Sequence, residues 1–195
     1  MIAFQPRRII GRWTEGYALD LHTHASRFLG DDEFGHPQFE TTRTGAGDLL
    51  YRLKYGQETA AVAPLAEALV ALLRRWNPDV DRLVPVPWSS ARALQPVPLL
   101  ATEIARQIGL PLVAGVRRRR DIPQLKNVYD LDQRLQLLDG LYEVDRAAIQ
   151  GGRILLFDDL YRSGATMNEV TATLYGAGAA ATVRALTVTR TRSNQ

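Results

Sequence analysis

The chain has 195 residues, 46% of them hydrophobic, with no cysteine and a formal net charge of +3. That is enough apolar material for one packed α/β domain with a small appendage, which excludes a disordered chain, and the missing cysteines exclude a disulfide framework and a thiolate zinc site. No apolar run approaches a membrane span, Met1 to Arg8 has no signal-peptide pattern, and the mild positive charge suits an anionic substrate without itself arguing for nucleic acid, so a cytoplasmic enzyme is expected.

Ile9 to Trp13 and Tyr17 to Leu21 are predicted as two strands joined at Thr14-Glu15-Gly16, a hairpin signal with glycine in the turn. If the second strand continues, Asp20, His22 and His24 share one face, and Asp31, Asp32, Glu33 and His36 follow closely. Such a row could hold a metal, or it is a solvated strand end running into a polar loop; its spacing matches no complete ligand set. Asp31 to Pro37 is a loop by composition and Phe39 to Thr42 a short third strand. Residues 1–43 are thus expected as an N-terminal β-hairpin hood, and residues 44–195 as the main domain.

Gly47 to Tyr55 sets Leu49, Leu50 and Leu53 against Arg52 and Lys54, a helical pattern that Gly56 ends. Thr59 to Trp76 is a long amphipathic helix with Val62, Leu65, Leu69, Leu72 and Leu73 inward and Pro64 in its first turn, stopped by Asn77-Pro78-Asp79. Leu83 to Val86 is the next strand, leading into a Pro-x-Pro turn at Pro85-Val86-Pro87 and a small polar run in which Ser89, Ser90 and Arg92 can donate to phosphate oxygens. Val97 to Ile108 is a helix with Leu99, Leu100, Ile104 and Ile108 inward.

Leu110 to Val113 is predicted as a strand, Asp130 to Leu138 as a short helix and Leu141 to Val144 as a strand. Between them, Arg117 to Arg120 is a run of four arginines that continues through Asp121 to Lys126 and Asn127. As a bare run it reads as a solvated charged turn or as a nucleic-acid patch.

Ile154 to Phe157 is an apolar run too short for a helix, which marks a buried strand of a parallel sheet. Asp158 and Asp159 follow at its C-terminal end, then a loop from Leu160 to Ala165, and Thr166 opens a helix over Met167 to Tyr175 with Gly176 and Gly178 as stops. The free N–H groups of such a loop and the helix dipole attract phosphate, and the two acids can accept hydrogen bonds from a diol such as ribose. Neither a G-x-x-x-x-G-K-[ST] motif nor a G-x-G-x-x-G between strand and helix occurs, which argues against nucleotide triphosphate and dinucleotide sites of those kinds. Thr182 to Val188 closes the sheet, and Thr189 to Arg192 is expected near the surface.

Arg153 to Thr166 resembles the phosphoribosyl pyrophosphate (PRPP) signature of type I phosphoribosyltransferases: four apolar residues, two acids, an apolar residue, any residue, then Thr-Thr-Gly-x-Thr. Here the ending reads Arg162-Ser163-Gly164-Ala165-Thr166, with arginine where the family usually has threonine or serine. Further points resemble the ComF branch, without its N-terminal cysteine-rich zinc finger: Lys54-Tyr55, the Pro-x-Pro turn with Arg92, and Gly140-Leu141-Tyr142-Glu143-Val144. The usual ComF continuation Arg-Gly-Phe-Asn-Gln is here Arg92-Ala93-Leu94-Gln95-Pro96.

The resemblance covers roughly residues 45–192. It implies an α/β fold, an open, mostly parallel sheet flanked by helices with a small N-terminal β-hairpin hood. It implies Asp158 and Asp159 as catalytic residues on the ribose hydroxyls, with Mg²⁺ nearby, and Tyr161, Arg162, Ser163, Gly164, Ala165 and Thr166 on the 5′-phosphate. Val86, Pro87, Ser89, Ser90 and Arg92 would hold pyrophosphate, with Lys54, Tyr55, Arg120 and Lys126 as further active-site candidates and the arginine segment as a closing lid. The implied partners are PRPP or a nucleoside 5′-phosphate and a second copy of the chain. A non-catalytic PRPP sensor and a DNA-binding accessory protein stay open, since ComF relatives are tied to DNA uptake in competent bacteria.

Overall fold

The computed structural model describes residues 2–88, 94–122 and 131–192. Its centre is a five-stranded sheet in the order β1-β2-β9-β8-β5. Strands β2 (Glu15–Leu21), β9 (Thr182–Arg190), β8 (Arg153–Tyr161) and β5 (Arg82–Pro85) run parallel, and β1 (Arg7–Arg8) is an antiparallel edge. The inner strands alternate between two apolar cores, as side chains of successive strand residues must. Leu155 and Phe157 of β8 with Leu186 and Val188 of β9 face helices α1 (Gly45–Tyr55), α2 (Val62–Trp76) and α3 (Pro96–Ile108). Ile154 and Leu156 with Val183 and Ala185 face α6 (Ala165–Tyr175).

The helices end where their backbone chemistry dictates. Thr44 caps α1, its hydroxyl accepting from Gly47 N at 2.9 Å. A 3₁₀ turn over Thr59–Ala61 leads into α2, which stops at Asn77 in the left-handed region. Helix α3 starts at Pro96 and stops at Gly109 with φ +72°; its Leu99, expected inward, is exposed. The remaining described elements are a hairpin of β3 (Thr23–Asp31) with β4 (Pro37–Arg43), a hairpin of β6 (Val116–Arg118) with β7 (Tyr142–Val144), and helices α4 (Leu131–Leu138) and α5 (Arg146–Ile149).

The expected hood divides in two. Strands β1 and β2 join the main sheet, whereas β3 and β4 pair with each other alone. Ile9 to Trp13, expected as a strand, is a loop with buried ends, Ile9 and Trp13, and an exposed Ile10, closed by the Trp13 indole donating to the Ile9 carbonyl at 3.1 Å, and the first strand moves back to Arg7–Arg8. Leu110 to Val113 contributes one bridge, Leu83 to Leu112, because Pro111 has no N–H to extend a ladder. Thr189, expected near the surface, is fully buried inside β9.

Candidate functional site

The connection after β5 leads to α3 on one face of the sheet, and the connection after β8 leads to α6 on the other. Adjacent parallel strands whose connections part in this way leave a crevice at their carboxyl ends. Strand β8 runs into that crevice and on to Tyr161, four residues past the expected end. The cause is its neighbour: Asp158 pairs with Thr187, Leu160 with Thr189 and Tyr161 with Arg190, and the Tyr161 carbonyl accepts from Thr191 N at 2.9 Å. The two acids therefore stand inside the strand and leave opposite faces of it.

Asp159 turns to the α1 side, where Lys54 Nζ lies 2.8 Å from its Oδ2. Asp158 turns to the side of β7 and α6. Its Oδ1 accepts from Asp159 N at 2.8 Å, and its other oxygen accepts no hydrogen bond among the described residues. Burial first, then the like charge of Asp159, pushes the Asp158 carboxyl up to about 7, against the opposing pull of the Asp159 N–H and Lys54. Asp158 keeps part of its surface open to solvent. The Tyr142 hydroxyl is held above its ordinary value, by burial and then by Asp158.

Residues 162–164 form the whole of the loop between β8 and α6. Arg162 and Ser163 are exposed at it, and Ser163 Oγ accepts a long bond from Ala165 N at 3.4 Å. That long bond apart, no side chain among the described residues caps the helix, so the N–H groups of its first turn, that of Thr166 among them, remain open to an anion. Gly164 is required here: its φ is +74°, and a Cβ would lie 2.7 Å from Tyr161 Cε2. The Tyr161 ring is itself anchored, its hydroxyl donating to the Ile10 carbonyl at 2.9 Å and its edge meeting Trp13.

His22, read from sequence either in a metal row or at a solvated strand end, joins this group. It follows β2, its Nδ1 is 3.1 Å from Thr189 Oγ1, and it senses the charges of Lys54, Arg43, Asp159 and Arg162. Asp20 is buried, accepting from Leu21 N and Gln5 N, and His24 is exposed. No group of three or more His, Cys, Asp or Glu residues that could hold a metal occurs among the described residues. Thr189 and Arg43 had no sequence signal of their own; they become visible only once β9 and β4 are placed.

Tyr55 stacks beside Tyr51, ring centroids 4.9 Å apart, on the exposed side of α1. Arg120 donates to the Leu137 and Asp139 carbonyls at the end of α4, while Arg117 and Arg119 share Glu143. Val86 and Pro87 line a cavity of about 490 Å³ together with Trp88, Arg117 and Arg118. Arg118 Nε and Nη2 are buried there without a hydrogen-bond partner among the described residues. Ser89, Ser90, Arg92 and Lys126 lie outside the described residues. No helix among the described residues is long and apolar enough to cross a membrane.

Compared with known proteins, the chain matches no family profile. It matches no curated protein either. Among solved structures it is similar to the glutamine PRPP amidotransferase from B. subtilis complexed with ADP and GMP, at TM-score 0.51 and 15% identity over 88% of this chain. The chain spans 37% of that enzyme's length. Adenine phosphoribosyltransferase from Thermoanaerobacter pseudethanolicus gives TM-score 0.44 and 16% identity over 85% of this chain and 95% of that one. Orotate phosphoribosyltransferase from Aeropyrum pernix gives 0.44 and 18% over 82% and 73%. At these identities the likeness is one of fold, and the expected open, mostly parallel sheet flanked by helices is the fold observed.

Proposed function

We propose that this protein binds PRPP and transfers its phosphoribosyl group to or from a nitrogenous acceptor, with pyrophosphate as the leaving group. One observation carries the reading. Asp158 and Asp159 stand at the carboxyl edge of β8, two residues ahead of a three-residue loop that opens onto an uncapped helix, all within the crevice between diverging connections. Acids that accept from a diol and amides that receive a phosphate are the two halves of a ribose 5-phosphate site.

In this reading the 5′-phosphate rests on Arg162 to Thr166, with Arg162 adding charge at the loop and Tyr161 supporting it from below. A ribose over the end of β8 meets Asp158 from one side and Asp159 from the other, and their negative charge favours the cationic character that develops at C1′. Pyrophosphate departs toward Val86, Pro87, Ser89, Ser90 and Arg92, with the arginine segment beside the same cavity. The paired carboxylates, with no third acidic or histidine ligand beside them among the described residues, suit a Mg²⁺ held chiefly by ligand phosphates and water. When bound, the ion supplies neutralising charge to the pyrophosphate.

Isothermal titration with PRPP and Mg²⁺ tests the site: the parent protein should bind, and Asp158→Asn and Asp159→Asn should each weaken binding at least tenfold. Unaltered affinity in both variants would remove the basis of the reading. Pyrophosphate release across a panel of purines and pyrimidines then tests transfer; binding without release would make the protein a PRPP sensor. Salt-sensitive DNA binding that survives both substitutions would instead favour the accessory role.

A further inference from the structure

His22, between β2 and β3, is fixed through its backbone and its ring. Its N–H donates to the Arg190 carbonyl at 2.8 Å, and its own carbonyl abuts α1 so closely that a Cβ on Gly47 would lie 2.0 Å away. Its ring is fixed by Nδ1 on the buried Thr189 hydroxyl at 3.1 Å. No hydrogen bond to Nε2 is found among the described residues. The ring senses the charges of Lys54 of α1, Arg43 at the end of β4, Asp159 of β8 and Arg162 of the phosphate loop.

We propose that His22 is the proton acceptor for the nucleophilic nitrogen in the reaction of this site, with Nδ1–H donating to Thr189 and the Nε2 lone pair left free. The inference rests on the phosphoribosyl-transfer reading and deepens it. The lone pair of the attacking nitrogen forms the bond to C1′, and the C1′–O bond breaks with its electron pair leaving on pyrophosphate. The proton of that nitrogen passes to Nε2, and the imidazolium returns it to solvent. Burial first, then Lys54, Arg43 and Arg162, hold the imidazole below its ordinary value in the free protein, with Asp159 opposing, so it waits unprotonated. Arrival of the multiply charged PRPP reverses the local sign and makes the imidazolium easier to form. Proton acceptance and pyrophosphate binding are thereby coupled.

The test is an NMR titration of the histidine side chains, His22, His24 and His36, in the full chain with and without PRPP and Mg²⁺. The His22 midpoint should rise by about one unit or more on binding. His22→Asn keeps a donor for Thr189 but no proton acceptor. It should lower kcat for pyrophosphate release by about 10²-fold or more, erase the acid limb of the pH profile and leave PRPP affinity within about twofold. An unmoved His22 midpoint in PRPP-saturated protein overturns the inference, as does parental turnover in His22→Asn or a panel on which the parent releases no pyrophosphate. Absence of PRPP binding in the parent overturns the site reading as well; failure of the His22 measurements alone leaves that reading standing.

Discussion

Lys54 and Asp159 meet at 2.8 Å with only 15% and 16% of their side chains exposed. The contact joins the last turn of α1 to the carboxyl edge of β8, so it sets how far the hairpin-bearing side of the molecule lies from the acids. Removing one partner of a largely buried pair strands the other charge, and the remaining exposure reduces the penalty. Lys54→Met and Asp159→Asn should each lower stability by about 1–3 kcal/mol in urea unfolding. The double variant should recover most of one loss, a coupling of at least about 1 kcal/mol. Simple additivity of the two would show that the pair is screened and sets nothing.

Asp158 makes a prediction of opposite sign. Its folded-state carboxyl is raised from an ordinary 3.8 to about 7, chiefly by burial. Between those values the folded protein holds a proton that the unfolded chain releases, so this group's contribution to stability falls as pH rises from about 4 to about 7. Asp158→Asn still offers an oxygen to the Asp159 N–H and carries no charge. It should unfold at higher urea than the parent at pH 8, by about 1–3 kcal/mol given the partial solvent access of the site, and the gap should close toward pH 4. Parallel curves across that range would contradict the raised value.

The strand, loop and helix around these acids were legible in the sequence because they are local: apolar residues, two carboxylates and a glycine in fixed order specify one βα unit. Helices α2 and α3 were legible because one face of each carries the core. Strand β3 was not, since most of Thr23–Asp31 is exposed, so no alternation marks it. Ile9 and Trp13 looked like strand because they are apolar; their burial is achieved by a loop that bonds to itself. What sequence could not supply is the set of contacts across the chain. Lys54 to Asp159 and His22 to Thr189 depend on strand order, and Thr189 reads as a polar tail until β9 is seen to carry it into the sheet.

Gly164 tests the loop directly. An alanine there faces both a left-handed φ of +74° and the Tyr161 ring at 2.7 Å. Moving that ring would break its bond to Ile10 and loosen the segment over the first turn of α6. Gly164→Ala should lose about 1–3 kcal/mol of stability. A Tyr161→Ala partner substitution should restore the steric part of that cost, measured as coupling in a double-mutant cycle, and leave the backbone part. If Gly164→Ala unfolds with the parent, the loop is not held in the geometry that presents its amides.

The hairpin of β3 and β4 offers a separation of stability from function. Among the described residues its strands hydrogen-bond only to each other, and no residue from 23 to 43 belongs to either apolar core. Thr23 and Arg43 face one another across its base, so residues 24–42 can be replaced by a short glycine link without disturbing His22 or Thr44. Because an isolated pair of strands adds little to a neighbouring core, unfolding midpoints should shift by no more than about 1 kcal/mol. Amide exchange in the parent hairpin should likewise be fast compared with β8 and β9. The same deletion removes Phe28, Phe34 and Phe39, exposed rings on the part of the chain that stands nearest to His22 in sequence. If the hairpin selects the acceptor, PRPP affinity should survive its loss and pyrophosphate release should not; if both survive, the acceptor is recognised by the sheet edge itself.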